Sequence, residues 1–253
     1  MTLKVETKKM SVNGAELYLE VSGAGEPLLL LHGMAGCSQD WQYAGRESLA
    51  KRYPLVAVDA RGHGRSTNPG RAFSHRQLAA DVRALLDALG IRRCKAIGMS
   101  MGGNTLLHVA TQEPDRIDAM VLVSATPYFP EQARAIMRTI SPDDRPPEEW
   151  RALRERHVHG DDQIRALFEA QRGLADSDDD MCFTPQELGG IRARTLVVYG
   201  DRDPLYPVEL GVELYRAIPG AALWVVPGGG HGPIFLEAAE LFARTALAFL
   251  EKS

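Results

Sequence analysis

The sequence lacks several features that would assign it to a specialised class of protein. It has only three cysteines in 253 residues, an odd number at irregular spacing, which fits neither a disulfide framework nor a zinc site. No apolar run approaches the ~20 residues that span a bilayer, and the N-terminus lacks the apolar segment of a secretory signal. We therefore expect a cytoplasmic protein that has no membrane partner.

Charge of one sign is also scarce, since the formal net charge is only −4 at pH 7. No basic stripe is interleaved with aromatic side chains, so nucleic acid is not expected as a partner. The hydrophobic share of 45% is ordinary for a globular protein. The length suits one large domain, or one domain with an insertion, and we expect a monomer or a small homo-oligomer.

Apolar runs that predict strands alternate with stretches that predict helices. Residues 3–12 and 15–22 predict a hairpin, because Asn13-Gly14 between them favours a tight turn. The continuous apolar runs typical of strands buried on both faces lie at 27–31, 55–58, 94–97, 119–123, 195–199 and 222–226. Helices are predicted near 38–52, 74–89, 103–110, 207–217 and 233–252. This alternation predicts an α/β fold with a doubly wound, mostly parallel sheet.

The composition changes between residues 127 and 185. This segment is rich in Arg, Glu and Asp and is broken by prolines and by Gly160. We interpret it as a helical cap inserted over the sheet and refer to it as the cap segment. The predicted domain organisation is therefore a core formed by residues 1–126 and 186–253, with a cap at 127–185.

The pattern Gly98-Met99-Ser100-Met101-Gly102 follows an apolar strand and precedes a helix. Strand, G-x-S-x-G and helix in this order predict a nucleophile elbow. A serine on such a tight turn has a strained backbone, and side chains at the two glycine positions would collide with neighbouring residues. The turn would expose the hydroxyl of Ser100 at the carboxyl edge of the sheet, above a helix N-terminus that favours developing negative charge.

Two further polar residues follow buried strands and are expected at the same edge of the sheet. Asp203 lies in Gly200-Asp201-Arg202-Asp203-Pro204, and His231 lies in a glycine-rich loop after the next strand. A nucleophilic serine needs a base to accept its proton and a carboxylate to orient that base. Ser100, Asp203 and His231 together therefore indicate a catalytic triad, although a turn aspartate and a surface histidine are the alternatives for the last two taken singly.

These motifs resemble those of the α/β-hydrolase superfamily, in particular its small bacterial serine hydrolases. The resemblance is carried by His32-Gly33-Met34, Asp59-Ala60-Arg61-Gly62-His63-Gly64-Arg65-Ser66, the elbow, Gly200-Asp201-Arg202-Asp203 with Pro207, and Gly230-His231-Gly232. It implies that Ser100 is the nucleophile, His231 the general base and Asp203 the acid that orients the base. It also implies an oxyanion hole formed by the backbone N–H groups of Met34 and Met101.

The same resemblance implies a reaction class. We expect hydrolysis of a carboxylic ester, lactone or similar small acyl compound through an acyl-enzyme, with no cofactor and no metal ion. Haloalkane dehalogenases and epoxide hydrolases of the superfamily carry an aspartate at the elbow, so Ser100 disfavours both. The open alternatives are a carbon–carbon bond hydrolase, an acyltransferase or lyase on the same triad, and a ligand sensor with little turnover.

Aromatic residues are the candidates for substrate contacts. Trp41, Phe129, Trp150 and Phe168 are candidates for lining the acyl pocket, although packing is the commoner role of such residues. Cys37 is expected at the pocket wall, near its entrance.

Several polar residues are given structural or surface roles. His32 is interpreted as a residue that braces its loop, and segment 59–66 as a turn held by its own hydrogen bonds. The cluster of His157 and His159 with Asp161 and Asp162 is interpreted as solvated surface rather than a metal site, because a two-residue offset does not place both imidazoles on one helix face. The acidic run 176–180 is expected to be an exposed loop.

Overall fold

The computed structural model describes residues 5–71 and 73–252, and its eight-stranded sheet carries helices on both faces. The strands are β1 (Val5–Val12), β2 (Ala15–Ser22), β3 (Leu28–Leu31), β4 (Leu55–Val58), β5 (Cys94–Met99), β6 (Ile117–Val123), β7 (Arg194–Gly200) and β8 (Ala222–Val226). The helices are α1 (Arg46–Ala50), α2 (His75–Ala88), α3 (Met101–Gln112), α4 (Glu131–Thr139), α5 (Pro147–Arg156), α6 (Asp161–Leu174), α7 (Pro185–Leu188), α8 (Val208–Ala217) and α9 (Ala239–Leu250). Short 3₁₀ helices at Ser38–Ala44 and Leu236–Ala238 precede α1 and α9.

The topology of the sheet confirms the predicted fold class. The strand order is β1-β2-β4-β3-β5-β6-β7-β8. The pairs β1–β2 and β2–β4 are antiparallel, and all later neighbours are parallel. Parallel strands end at one edge of a sheet, so the loops after β3, β5, β6, β7 and β8 meet there. None of the described helices combines the length and the hydropathy that crossing a membrane requires.

Consecutive residues of the central strands face two separate hydrophobic cores. Leu29 and Leu31 of β3 pack with residues of α2, α3 and α8 on one face of the sheet. Leu28 and Leu30 pack with residues of α1 and α9 on the other face. The alternation follows from the two-residue period of a strand. It explains why these strands have continuous apolar sequences, since both faces of the sheet are covered by helices.

Two helices are shorter than the sequence predicts. Gly45 divides the predicted helix at 38–52 into a 3₁₀ helix and α1, and its φ of +79° is a conformation that favours glycine. A Cβ at Gly45 would also lie 2.7 Å from Ala243 Cβ in α9, so the close approach of these elements requires glycine. The predicted helix at 233–252 begins only at Ala239, because Leu236 has a φ of +55°. Residues 3 and 4 of the predicted hairpin lie outside the described residues.

The cap segment forms α4, α5 and α6. Helices α4 and α6 pack together. Leu153, Ile164 and Phe168 form a small apolar cluster that also contacts Ala35 in the loop after β3. This cluster packs the cap segment against the carboxyl edge of the sheet. The division of the chain into separate core and cap domains stays a prediction.

One histidine of the cap segment is buried, so the prediction of a solvated surface is wrong for His157. The residue is 1% exposed. Its Nδ1 accepts a hydrogen bond from Gly64 N–H at 2.9 Å, and its Nε2 donates to Ala35 O at 3.0 Å. Burial is tolerated because both ring nitrogens have partners. Burial also lowers the pKa of His157 to about 4, so the ring is neutral at pH 7. His159 is exposed, as the sequence predicts.

The turn at 59–66 is held by its own hydrogen bonds, as the sequence predicts. The carboxylate of Asp59 accepts from Ser38 N–H at 2.7 Å and from Arg65 N–H at 2.8 Å. Ser66 Oγ donates to Asp59 O at 2.6 Å. Gly64 has a φ of +55°, and a Cβ there would lie 2.1 Å from the same carboxylate. The buried Asp59 therefore organises this turn and the start of the 3₁₀ helix that follows β3.

Candidate active site

Ser100 lies on a sharp turn between β5 and α3. Its φ of +49° and ψ of −112° are unusual for a residue with a side chain, and such strain is typical of functional sites. A Cβ at Gly98 would lie 2.5 Å from Gly102 O, and one at Gly102 would lie 2.2 Å from Leu31 O. Glycine is thus required on both sides of the serine. Ser100 N–H donates to Val123 O at 2.7 Å, which fixes the turn to the end of β6.

Ser100, His231 and Asp203 form a continuous hydrogen-bonded relay. Ser100 Oγ lies 2.8 Å from His231 Nε2, and His231 Nδ1 lies 2.8 Å from Asp203 Oδ2. Because a carboxylate only accepts hydrogen bonds, Nδ1 carries the ring proton and Nε2 is left to accept from the serine hydroxyl. The side chain of Asp203 is fully buried, whereas that of His231 is 18% exposed. Solvent therefore reaches the imidazole but not the carboxylate that orients it.

Two aspartates follow β7, and the structure gives them different contacts. Asp203 Oδ1 accepts from the backbone N–H groups of Leu205 and Tyr206 at 2.8 and 3.0 Å, which leaves Oδ2 for His231. Asp201 is exposed, and its Oδ1 accepts from Gly228 N–H at 2.6 Å. Asp203 is therefore the carboxylate of the relay, and Asp201 braces the neighbouring glycine loop.

The glycine loop that carries His231 is fixed by close backbone contacts. A Cβ at Gly200 would lie 2.2 Å from Gly229 O, so the loops after β7 and β8 pack backbone to backbone. Gly232 N–H donates to Ser124 Oγ at 3.2 Å, and Gly232 has a φ of +75°. These backbone contacts help to hold the imidazole over the sheet edge.

The two residues predicted to form the oxyanion hole, Met34 and Met101, line the same cavity as Ser100. Met101 is the first residue of α3, and the first N–H groups of a helix have no partner within the helix. Met34 follows His32-Gly33. His32 Nδ1 donates to Gly33 O at 2.7 Å, and its Nε2 accepts from Ala60 N–H at 3.0 Å. Fixing the carbonyl of the Gly33–Met34 peptide also fixes the direction of its N–H, because a peptide group is planar.

A cavity of about 120 Å³ opens onto Ser100 and His231. Most of its wall is apolar and comes from both the core and the cap segment. The lining residues are Gly33, Met34, His75, Met99, Ser100, Met101, Asn104, Phe129, Met137, Gln171, Leu174, Leu205, Tyr206 and His231. Tyr206 packs edge-on against His231, with the ring centroids 5.3 Å apart. The cavity suits a small, mainly apolar ligand.

The structure brings one of the four predicted aromatic residues, Phe129, to this cavity. Trp41 is 1% exposed and packs in the hydrophobic core between the sheet and α9, on the face of the sheet opposite to α2 and α3. Cys37 is fully buried and lies away from the cavity wall. Burial raises the pKa of the Cys37 thiol to about 12, so it does not form a thiolate near pH 7. The predicted pocket positions of Trp41 and Cys37 are therefore wrong.

The other two aromatic residues pack within the cap segment. Phe168 is buried in the cluster with Leu153. It lines a second, neighbouring cavity and not the cavity at Ser100. The ring of Trp150 packs against the guanidinium groups of Arg154 and Arg165, at 5.1 and 5.4 Å. Neither ring lies in the cavity wall.

Sequence reasoning missed a second group of polar residues in the cavity. His75 and Asn104 line it, and the Nδ1 atom of His75 lies 2.6 Å from Asp180 Oδ2. Asp180 is 3% exposed, so the prediction of an exposed loop is wrong for this member of the acidic run. The charge is tolerated because its carboxylate also accepts from His75 N–H and Arg76 N–H. The sequence signal that places His75 is Ser74, which caps the N-terminus of α2 and so puts His75 at the first position of that helix.

Comparison with known proteins identifies the family. A family model described as alpha/beta hydrolase fold matches residues 26–189. The chain belongs to this family of enzymes. It is 30% identical to serine hydrolase BPHL of Mus musculus, an alignment that covers 98% of this chain and 87% of that protein. It is 29% identical to non-heme chloroperoxidase CPO-A1 of Kitasatospora aureofaciens, covering 95% and 98%.

A solved structure is also similar along nearly the whole chain. The enol-lactonase from Burkholderia xenovorans LB400 superposes with a TM-score of 0.77 at 25% identity. The match covers 97% of this chain and 100% of that structure. The similarity therefore includes the cap segment as well as the sheet.

Proposed function

We propose that the protein is a serine hydrolase that cleaves small carboxylic esters or lactones through an acyl-enzyme at Ser100. The observation that carries the proposal is the relay from Ser100 Oγ through His231 to Asp203, with both contacts at 2.8 Å. The names of a serine hydrolase and an enol-lactonase among the similar proteins support the same chemistry.

In the proposed reaction, His231 Nε2 takes the hydroxyl proton of Ser100 as Oγ attacks the carbonyl carbon of the substrate. The oxygen that becomes negative accepts hydrogen bonds from the N–H groups of Met34 and Met101. The tetrahedral intermediate collapses, its carbon–oxygen bond to the alcohol breaks, and His231 gives the proton to the leaving oxygen. Asp203 stabilises the imidazolium while it exists.

The second half repeats these steps with water. His231 takes a proton from a water molecule, and the resulting hydroxide attacks the acyl carbon. The second tetrahedral intermediate breaks the bond to Ser100 Oγ, and the proton returns to the serine as the free acid leaves. Each residue therefore ends the cycle in its starting state.

The test is steady-state hydrolysis of p-nitrophenyl esters of increasing acyl length, with fluorophosphonate labelling of the purified protein. Ser100→Ala should abolish labelling and lower kcat by several orders of magnitude, because only Oγ is lost. The matched control is Ser11→Ala on β1, an exposed serine that lies far from the relay and should behave like the wild type. Short acyl chains should be preferred, since Met137 and Leu174 close a small cavity.

The same assay separates the alternatives. A ligand sensor would release one equivalent of p-nitrophenol and then stop. An acyltransferase would transfer the acyl group to an added alcohol faster than to water. Undiminished turnover by Ser100→Ala, with circular dichroism unchanged, would refute the covalent mechanism.

A further inference from the structure

The turn that carries Met34 contains a strained residue. Gly36 N–H donates to Gly33 O at 3.1 Å, so residues 33–36 form a tight turn, which we call the Met34 turn. Its third residue, Ala35, has a φ of +56°. This position of a turn favours glycine when φ is positive, because a Cβ is strained there. Strain of this kind persists only where neighbouring groups hold the backbone in place.

An imidazole of the cap segment holds this strained residue. Gly64 N–H donates to His157 Nδ1 at 2.9 Å, so the ring proton lies on Nε2, which donates to Ala35 O at 3.0 Å. Burial lowers the pKa of His157 to about 4, so the ring keeps this neutral form at pH 7. One buried side chain of the cap segment therefore connects the Met34 turn to the turn at 59–66.

The hydrogen bond to Ala35 O acts on the amide of Met34 through two peptide groups. A peptide group is planar, so the direction of Ala35 O also sets the direction of Gly36 N–H in the same peptide. Gly36 N–H donates to Gly33 O, and Gly33 O belongs to the same peptide as Met34 N–H. His157 is therefore the first donor in a chain of hydrogen-bonded peptides that ends at the amide proposed for the oxyanion hole.

A second imidazole makes the same kind of bridge from the core. His32 Nε2 accepts from Ala60 N–H at 3.0 Å, and its Nδ1 donates to Gly33 O at 2.7 Å. The fully buried ring of His63 packs near both bridging rings, with its centroid 5.1 Å from that of His32 and 6.2 Å from that of His157. The core thus holds one carbonyl of the Met34 turn, and the cap segment holds another.

We propose that His157 is a positioning residue, which directs the amide of Met34 towards Ser100 while the cap segment is packed on the core. This inference rests on the proposed hydrolase function and makes its oxyanion hole depend on the cap segment. A Cβ at Gly33 would lie 2.5 Å from Met99 Sδ, so the Met34 turn packs directly against the residue before Ser100. A shift of the turn therefore moves its amide relative to Oγ, and such donors act only over a narrow range of distances.

The apolar cluster of the cap segment is the other feature that could hold Ala35. Leu153, Ile164 and Phe168 form this cluster, and Ala35 packs against it. Apolar contacts do not set the direction of a carbonyl group, because the hydrophobic effect is non-directional. A variant that removes the hydrogen bonds of His157 and leaves the cluster in place decides between the two.

The test is steady-state hydrolysis of p-nitrophenyl butyrate by variants of His157, which itself lies outside the cavity wall. His157→Leu makes no hydrogen bond and should lower kcat and kcat/KM by a similar factor of about 10–100, as expected when a donor is misplaced but not lost. His157→Gln can accept from Gly64 N–H and donate to Ala35 O, so it should recover most of the activity. His157→Asn can accept from Gly64 N–H but is too short to reach Ala35 O, so it should resemble His157→Leu with a smaller loss of stability.

A control and an inhibitor separate positioning from a general loss of structure. Leu250→Ala leaves a cavity in the core at the opposite edge of the sheet, where Arg194 begins β7 and donates to Leu250 O at 3.3 Å. It should lower the melting temperature without lowering kcat. A trifluoromethyl ketone accepts Ser100 Oγ at its carbonyl carbon while His231 takes the proton, which leaves a negative oxygen as in the tetrahedral intermediate. Its affinity should fall with kcat in His157→Leu, whereas that of the product butyrate should not.

The outcomes distinguish failure of this inference from failure of the proposed function. Unchanged kcat in folded His157→Leu or His157→Asn, or an equal loss of kcat in Leu250→Ala, overturns the inference alone. If the wild type neither hydrolyses esters nor reacts with a fluorophosphonate, the proposed function fails, and hydrogen exchange of Gly36 N–H decides the inference. His157→Leu should speed this exchange by about 2–10-fold, as expected for one hydrogen bond, and His157→Gln should restore the protection. Equal protection in all three proteins overturns it.

Discussion

Acid should destabilise the protein through histidines that are buried in their neutral form. His157 connects the cap segment to two loops of the core through Gly64 N–H and Ala35 O. Burial and, to a smaller extent, the neighbouring His32 lower the pKa of His157 to about 4. His108 is also buried, donates to Asp180 O at 2.7 Å, and has its pKa lowered to about 4 by burial.

The size of the effect follows from the difference between the folded and unfolded pKa values. Above the unfolded value of about 6.5 the ring is neutral in both states and contributes no pH dependence. Below it, the unfolded chain binds a proton that the folded chain binds only near pH 4, so the free energy of unfolding falls by about 1.4 kcal/mol per pH unit. The loss reaches about 3 kcal/mol for His157, and His108 adds a similar amount. The total free energy of unfolding of a typical domain is only about 5–15 kcal/mol.

Urea unfolding between pH 7.5 and pH 4.5 measures this loss. In His157→Gln, the amide oxygen can accept from Gly64 N–H and the amide nitrogen can donate to Ala35 O, and neither titrates. The variant should therefore lose about 2.5 kcal/mol less than the wild type over this range, since only the interval below about pH 6.5 contributes. Asp180 interferes little, because its contribution is lost only as the pH falls below the ordinary carboxyl value of 3.8 towards its lowered pKa of about 2, and this interval lies below pH 4.5. The control His159→Gln changes an exposed histidine and should follow the wild type. An unchanged pH slope in His157→Gln would refute the reasoning.

Three further predictions concern the relay, the elbow and helix α6. Asp203→Asn should favour the wrong imidazole tautomer and lower kcat by on the order of 10⁴, whereas Asp201→Asn should mainly lower the melting temperature; a larger loss of kcat for Asp201→Asn would show that the wrong acid is assigned. Gly102→Ala should prevent formation of the elbow, because its Cβ would lie 2.2 Å from Leu31 O, and both fluorophosphonate labelling and the cooperative melting transition should be lost. A normal elbow in Gly102→Ala would contradict the steric argument. In α6, a Cβ at Gly173 would meet nothing within 4 Å, so Gly173→Ala should raise the free energy of unfolding by about 0.4–1 kcal/mol.

The sheet and its loops were predictable because their signals are local. A strand buried on both faces must be apolar at every position, as in Leu28–Leu31, and such runs are short and bounded. Parallel strands then bring every loop that follows them to one edge. Ser100, Asp203 and His231 each come directly after a strand, so their proximity follows from the topology alone.

The helix bounds that were predicted wrongly depend on contacts between distant segments of the chain. Gly45 interrupts the stretch 38–52 because α9 passes within 2.7 Å of where its Cβ would be. A glycine within a helical pattern is compatible with a continuous helix as well as with a break, so Gly45 alone does not reveal that approach. The cavity-lining residues of the cap segment were hard to predict for the same reason, since Trp150 and Met137 both lie on amphipathic helices. Which of them faces the cavity depends on how α4 and α5 are oriented over the sheet, and a periodic pattern gives a helix an apolar face without saying what that face contacts.

The acidic run shows why the buried pair of His75 and Asp180 was harder to predict than the relay. Asp176, Asp178 and Asp179 are exposed, as a run of carboxylates usually is, yet Asp180 is buried. A buried carboxylate is stable only with partners, and its partners lie on the first turn of α2, 105 residues earlier. No spacing within the run distinguishes that member from the rest. The relay residues can be recognised in the sequence because their backbone geometry requires neighbouring glycines. His75 and Asp180 require no special backbone conformation, so only their contact in the folded structure identifies them.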